Sequence, residues 1–438
     1  MVIKNLLSRN FYRFFIVTLA ILFSSCASQK FRKNIKTELK EAPEFQHGFV
    51  GFALYDPASK KMLVEYNAQK YFTPASNTKL FTFFTGLKML GDSIPALKYK
   101  KISDTLYFKG TGDPSFLNPD LPDSKVYRFL KQNGPLVYVL PNYKETYLGP
   151  GWAWDDYNDY YSAERNDFPV YGSLVHFKFD KTGKLQKISP EIFKDSISFL
   201  ASSEEKPLIK RALQSNHFDI SLKNEEKEKW IPIKYSEKTL MDLLSDTLSK
   251  PITVKQEAPE KLDQTLYSIP SDSLYKQMLH VSDNFIAEQI LLMVSDKISD
   301  SLKTEIAIDY MKKNYLKDLP DEPIWVDGSG LSRYNLFTPR TMVALLEKIK
   351  NEMPEEKLYD LLPSGGVSGT LKNYYKAEEP YIYAKTGSMS NNHSLSGYLI
   401  TKSGKTFIFS FMNSNFTIPS SSLKKEMAKI LEMVRDNF

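Results

Sequence analysis

A serine and a lysine three positions apart, Ser76 and Lys79, stand in the stretch Thr73-Pro74-Ala75-Ser76-Asn77-Thr78-Lys79-Leu80. A hydroxyl becomes a strong nucleophile when a neighbouring group takes its proton, and an amine one helical turn away can be that base. Thr73 is a fitting helix cap, and Pro74 suits the first helical position. The apolar stripe Leu80, Phe83, Phe84 and Leu87 then predicts a buried helix. Its opening turns put the hydroxyl near the positive end of the helix dipole. The pair alone decides nothing, because Ser-x-x-Lys recurs at Ser203, Ser273 and Ser422, on stretches that read as solvated surface.

Two later stretches supply further parts. Helical periodicity at Leu274, Met278 and Leu279 breaks at Val281-Ser282-Asp283-Asn284 and resumes through Phe285, Ile286, Ile290 and Leu291. A Ser-Asp-Asn between helices is a cap or turn, or a pair of polar fingers held in a cleft. Near the C-terminus, the predicted strand Tyr381 to Gly387 delivers Lys385-Thr386-Gly387-Ser388. Lys-Thr-Gly also occurs at 181–183, where the flanking strand-like pieces predict a plain hairpin turn. The order of the three motifs, each in a fitting context, is what carries information.

Several elements must position these residues. Phe49 to Tyr55 and Met62 to Tyr66 read as a hairpin leading into the Ser76 helix. Tyr381 to Gly387, Ser394 to Thr401 and Thr406 to Met412 read as three strands, with Lys402 to Lys405 turning the last pair. Ser420 to Ser422 then cap a helix whose Leu423, Met427, Ile430, Leu431 and Val434 face inward. Asp327 to Arg333 and Leu362 to Gly366 are glycine-rich loops beside helical segments. Between them, 91–261 changes character: short strand-like pieces alternate with turns, as a separate, mostly β insertion. Inside it, the aromatic and acidic run Gly149 to Tyr157 either lines a substrate cleft or plugs one domain against another. The fold class is α+β, with a catalytic part from 44–90 and 262–438 interrupted by the insertion.

The N-terminus points to export. Lys4, Arg9 and Arg13 precede the apolar run Phe14 to Phe23, too short to span a bilayer but suited to a signal peptide over 1–25. Those three charges are half of the formal net charge of +6. No basic stripe remains that would suit nucleic acid. Cys26 is the only cysteine, so no internal disulfide forms. Small residues before a lone cysteine resemble a lipoprotein cleavage site, with Cys26 lipidated and Ala27 after it favouring the outer membrane. An ordinary signal peptide is the alternative. Residues 26–43 read as a polar tether. The five histidines show no metal-ligand spacing.

The motif order Ser76-x-x-Lys79, Ser282-Asp283-Asn284, Lys385-Thr386-Gly387 is that of penicillin-binding proteins and class A β-lactamases. The chain resembles the class C, low-molecular-mass penicillin-binding proteins, the D-alanyl-D-alanine carboxypeptidase/endopeptidase family. The resemblance runs from about Phe49 to the C-terminus and includes Gly112-Asp113-Pro114, Pro150-Gly151-Trp152, Asp327 to Arg333 and Gly369-Thr370-Leu371. Close to half the chain lies between Ser76 and Ser282, more than a compact β-lactamase needs, and no Glu-x-x-Leu-Asn segment is present. The resemblance implies a penicillin-binding-protein/β-lactamase-like transpeptidase fold, an antiparallel sheet flanked by helices plus a helical subdomain. It implies peptidoglycan stem peptides as substrate, β-lactam antibiotics as covalent inhibitors, and no metal or other cofactor.

The same resemblance assigns roles. Ser76 is the nucleophile and Lys79 its base, its pKa depressed by burial and by Lys385. Ser282 and Asn284 complete the relay and position the substrate's amide, Lys385 with Thr386 binds the terminal carboxylate, Gly387 lies in the substrate-binding strand, and the backbone N–H groups of Ser76 and Ser388 form an oxyanion hole. A pocket for a zwitterionic stem-peptide side chain is implied at Trp152, Asp155, Tyr160, Arg333 and Ser390, with an Asp155–Arg333 salt bridge as the plainer alternative. Two other function classes are a β-lactamase, told apart by rapid penicillin hydrolysis, and a non-catalytic peptidoglycan-binding lipoprotein.

Overall fold

The computed structural model describes residues 30–200, 209–221 and 227–438. The leader 1–25, Cys26 and Ser203 lie outside them. Five antiparallel strands form the sheet that carries the site, in the order Ile382–Met389, Asn392–Ile400, Thr406–Ser414, Phe49–Asp56 and Lys61–Tyr66. The predicted hairpin and three C-terminal strands are thus one sheet, joined where Phe52 pairs with Phe411.

Its central strands are buried on both faces, as near-continuous apolar runs require. Phe407, Phe409 and Phe411 point into one core with Leu423, Met427 and Ile430 of the Ser420–Asn437 helix. Ile408 and Met412 point the other way, into a core with Phe81, Phe83 and Leu346. This alternation follows from the two-residue period of a strand. Helix Lys79–Met89 lies in the second core, and the turn Ala75–Thr78 just before it faces the sheet's Lys385 edge.

Three expectations need correcting. Residues 30–41 are not a tether but a helix, whose Ile35 and Leu39 are buried under the sheet with Phe411. Apolar residues four apart among lysines make a stripe too narrow to stand out in a polar stretch. Thr73 does not cap the nucleophile helix. A short 3₁₀ turn, Ala75–Thr78, precedes Lys79–Met89, and Pro74 takes the capping position without a side-chain bond. Ser420–Asn437 has the predicted inward face, but Pro419 precedes it and no side chain caps it.

The insertion holds a second five-stranded sheet and two three-stranded sheets. The strand Ser93–Ile102 pairs antiparallel with Gln264–Pro270, beyond the expected boundary at 261, so the strands that leave and return to the catalytic part are partners. Sequence reading passed over helix Glu237–Leu248, which Ser236 caps by accepting the N–H of Thr239 at 3.0 Å. The Lys181 to Gly183 triplet is the expected hairpin turn, with the Asp180 carboxylate accepting the N–H groups of Thr182 and Lys184. The aromatic run divides between its two readings. Tyr157 is buried and Trp152 partly so, while Trp154 is 73% exposed.

The nucleophile helix is held by aromatic packing. Phe81 is fully buried, with ring centroids 4.4 Å from Phe337 and 5.3 Å from Trp325. Phe81→Ala should destabilise the protein by about 3–5 kcal/mol, the usual scale for a buried Phe. A lowered denaturant midpoint at unchanged slope checks this.

Candidate active site

Ser76 lies in the 3₁₀ turn, one residue after Ala75, whose φ of 46° is unusual for a residue with a side chain. Two glycines permit this geometry by close approach. A Cβ on Gly330 would sit 2.0 Å from the Ala75 carbonyl oxygen, and Gly330 itself has φ +84°. A Cβ on Gly387 would sit 2.4 Å from the Pro74 carbonyl and 3.0 Å from the Ser76 backbone nitrogen. The Lys-Thr-Gly strand therefore presses against the nucleophile turn at a spacing only glycine allows. Asn77 fastens the two, its side-chain amide donating to the Lys385 carbonyl at 2.8 Å.

Lys79 is fully buried. Its Nζ lies 3.0 Å from Ser76 Oγ, 2.6 Å from Asn284 Oδ1 and 2.7 Å from the Ser329 carbonyl. Burial pushes this amine down to about 8, against the pull of Asp283, Asp327 and Glu288. Asn284 is oriented from both sides, its Nδ2 donating to the Tyr161 carbonyl at 2.9 Å. That fixes which end of the amide faces Lys79.

Ser282 holds φ 63° between the two helices, and Asp283 caps the second by accepting the N–H of Ile286 at 2.8 Å. Lys385, also fully buried, donates to Ser282 Oγ at 2.9 Å and to the Thr386 carbonyl at 2.8 Å. Burial first, and the charge of Lys79 second, hold its amine well below the ordinary lysine range. The expected repulsion between the two amines thus falls on Lys385, while Lys79 is lowered by burial. Thr386 Oγ1 meets Thr370 Oγ1 at 2.8 Å, and Ser388 Oγ meets His393 Nδ1 at 2.8 Å. A cleft of about 270 Å³ opens between Ser76, Ser282, Thr386, Ser388 and Thr370.

The five expected side-chain-pocket residues are placed differently. Trp152 donates its Nε1–H to Asp327 at 2.9 Å, and the Arg165 guanidinium lies 5.5 Å from its ring. Asp155, Tyr160, Arg333 and Ser390 are exposed, and none lines the cleft that holds Ser76. Among the described residues, Asp155 and Arg333 form no ion pair with each other. Their loops nonetheless meet, since a Cβ on Gly151 would come 2.8 Å from the Tyr334 ring.

Sequence reading missed the support behind Lys79. Asp327 accepts the N–H groups of Gly330 at 2.8 Å and Ser332 at 2.7 Å, and the side-chain amide of Asn335 at 2.7 Å. Glu288 accepts the N–H of Ser329 at 2.7 Å and pairs with Arg165 at 3.3 Å, both side chains fully buried. Burial, then the Asp327 charge, raises Glu288 to about 7. These groups set the Ser329 carbonyl that Lys79 needs. Asp327 lay within a noted loop, but Arg165 and Glu288 carry no local signal.

Comparison with known proteins places these residues in context. The model of the D-Ala-D-Ala carboxypeptidase 3 (S13) family matches residues 31–436. A relative from Haemophilus influenzae, D-alanyl-D-alanine carboxypeptidase DacB, is 22% identical over 92% of each chain. The crystal structure of penicillin binding protein 4 (dacB) from the same organism superposes with a TM-score of 0.72 at 21% identity, covering 92% of this chain and 98% of that one. A predatory peptidoglycan endopeptidase from Bdellovibrio bacteriovorus gives a TM-score of 0.54 at 14% identity, over 89% and 92%. The fold is that of penicillin binding protein 4.

The lowered Lys79 value has a kinetic signature. The rate constant for acylation by a penicillin should rise with pH below about 8 and level off above it, as the ammonium loses its proton. Lys79→Arg, which cannot deprotonate in this range, should cost at least about 10²-fold and remove the rise. Stopped-flow acylation across pH reads both.

Proposed function

The chain belongs to the D-Ala-D-Ala carboxypeptidase 3 (S13) family, and on that premise we propose how its residues share the reaction. It is a serine-type D-Ala-D-Ala carboxypeptidase/endopeptidase, a hydrolase of peptidoglycan stem peptides. The observation that carries the assignment of roles is the set of three oxygens around Lys79 Nζ.

A neutral amine has two N–H bonds and one lone pair. The Asn284 Oδ1 and Ser329 carbonyl oxygens can only accept, so they take the two N–H bonds. The lone pair is left for the Ser76 hydroxyl. Substrate binding helps to reach that state. The terminal carboxylate settles against Lys385 and Thr386, which favours the Lys385 ammonium. That charge disfavours a second one on Lys79.

Ser76 Oγ then attacks the D-Ala carbonyl carbon while its proton passes to Lys79 Nζ. The oxyanion takes the backbone N–H groups of Ser76 and Ser388, each donor worth roughly 3 kcal/mol in the transition state. As the C–N bond breaks, the proton moves from Lys79 to the leaving amine through the Ser282 hydroxyl, which Lys385 holds in place. Water repeats the sequence on the acyl-enzyme. A β-lactam enters the same path and stays, because its leaving amine remains tethered.

On the acyl side, Asp155 and Arg333 are free to take the amine and carboxylate of a zwitterionic stem-peptide side chain, with Ser390 assisting and Trp152 and Tyr160 as the wall. Two observations favour this over an interdomain bridge: both charges are exposed, and they do not pair. The stretch that carries Asp155 reaches the site, since the Tyr161 carbonyl accepts from Asn284. The coarse location is the bacterial cell envelope, and we assign the anchor to a lipidated Cys26 in the outer membrane, facing the periplasm. The catalytic part comprises 30–90 and about 271–438, with Gln264–Pro270 as the strand that returns through the insertion's sheet, and the insertion supplies the acyl-side border.

Fluorescent penicillin should label the wild-type protein covalently, and Ser76→Ala should lose the label while melting at the same temperature. Full labelling of the variant would remove Ser76 from its role. Asp155→Asn should weaken cleavage of peptides bearing the free side-chain amine by about 1–3 kcal/mol. Penicillin acylation should hardly change, and equal losses on both substrates would show a merely structural residue.

A further inference from the structure

The cleft that holds Ser76 and Thr386 is also lined by a cation that no catalytic step uses. Lys424, in the opening turns of the Ser420–Asn437 helix, lines the same cleft as Ser76 and Thr386. Its ammonium lies 5.0 Å from the Tyr374 ring centroid, close enough for a cation–π contact that fixes where the charge sits. The side chain is half-buried. Among the described residues no carboxylate forms an ion pair with it. The neighbouring acid Glu426 is turned to Lys429 at 3.2 Å instead. Beside it, His393 is held down to about 3 by burial and by the Lys424 charge, so it is neutral at working pH and offers no counter-charge.

The direction of this arm matters. Thr386 and Lys385 take the carboxylate next to the scissile amine, so whatever lies beyond them faces the leaving group. A leaving D-alanine ends at that carboxylate. A cross-link does not: its leaving amine belongs to the diamino acid of a second stem peptide, which runs on and carries further carboxylates. Lys424 sits over Tyr374, in the segment whose Thr370 meets Thr386 at the carboxylate site. A half-sunk ammonium there, with no ion pair among the described residues, suits such a chain and is idle for free D-alanine.

We propose that Lys424, seated over Tyr374, is a specificity-determining residue that receives a carboxylate of the leaving stem peptide and so favours cleavage of cross-links over trimming of terminal D-Ala. This rests on the reading of Ser76 as nucleophile and Thr386 as carboxylate site.

The test compares two purified substrates, a cross-linked muropeptide dimer and an uncross-linked pentapeptide monomer, with products identified by mass. Lys424→Met should lower the dimer-to-pentapeptide ratio of kcat/KM by about tenfold, the effect of about 1.4 kcal/mol of lost contact. The loss should lie in KM for the dimer, and Lys424→Arg should restore the ratio. Lys424→Met changes no ring contact in the core, and its melting temperature serves as the control for folding. An unchanged ratio, or an equal loss on both substrates, overturns the role of Lys424. A wild-type enzyme that cleaves neither substrate, with Ser76→Ala still binding penicillin covalently, would instead overturn the reading on which it rests.

Discussion

Two lysine amines are fully buried within one site, and among the described residues no carboxylate hydrogen-bonds to either. Burying a lone ammonium is expensive, and the ordinary escape is to give up the proton. Burial moves both amines toward that escape. Lys79 is surrounded by oxygens that accept, at distances suited to a neutral amine or an ammonium alike. Acids near it, Asp283, Asp327 and Glu288, are close enough to pull its pKa back up without making contact. The balance leaves the base poised rather than fixed.

That balance needs a rigid frame, and the frame is polar. Asp327 organises its loop through several N–H groups and also takes the indole N–H of Trp152 from the insertion. Arg165, likewise from the insertion, pairs with Glu288 inside the helical core. The insertion is therefore wired into the carbonyl that holds the Lys79 amine. Breaking a fully buried pair of this kind leaves an uncompensated charge and costs several kcal/mol. Here the damage would also reach Lys79 through Ser329.

Much of the site was legible in the sequence because each motif is short and its element is set by local periodicity. Ser76 with Lys79, Ser282 with Asn284, and Lys385 with Thr386 meet as their order implied. The sheet was legible too, since its strands are long apolar runs. Capping was misread at Thr73 and Ser420, where the chain uses a 3₁₀ entry and a proline in place of a side-chain cap. The 30–41 helix was missed because Ile35 and Leu39 are sparse among charges and gain meaning only under the sheet. Arg165, Glu288 and Lys424 are single charged residues, and nothing local distinguishes them from a solvated face. Their partners are remote in sequence, so only the fold reveals them.

The sheet order has a consequence for how the enzyme comes to life. Its first strand, Phe49–Asp56, lies beside its last, Thr406–Ser414, and the Lys385 strand sits at the far edge beyond both. Ser76 and Lys79 are synthesised early, whereas the strand that closes on them arrives near the end of the chain. A chain emerging vectorially from a ribosome holds Ser76 and Lys79 but lacks the Lys385 strand that packs against them. The long loop closure also makes this late step a slow one. The hydrolase is thereby incomplete until its last strands are in place, and a prematurely ended product lacks the Lys385 strand.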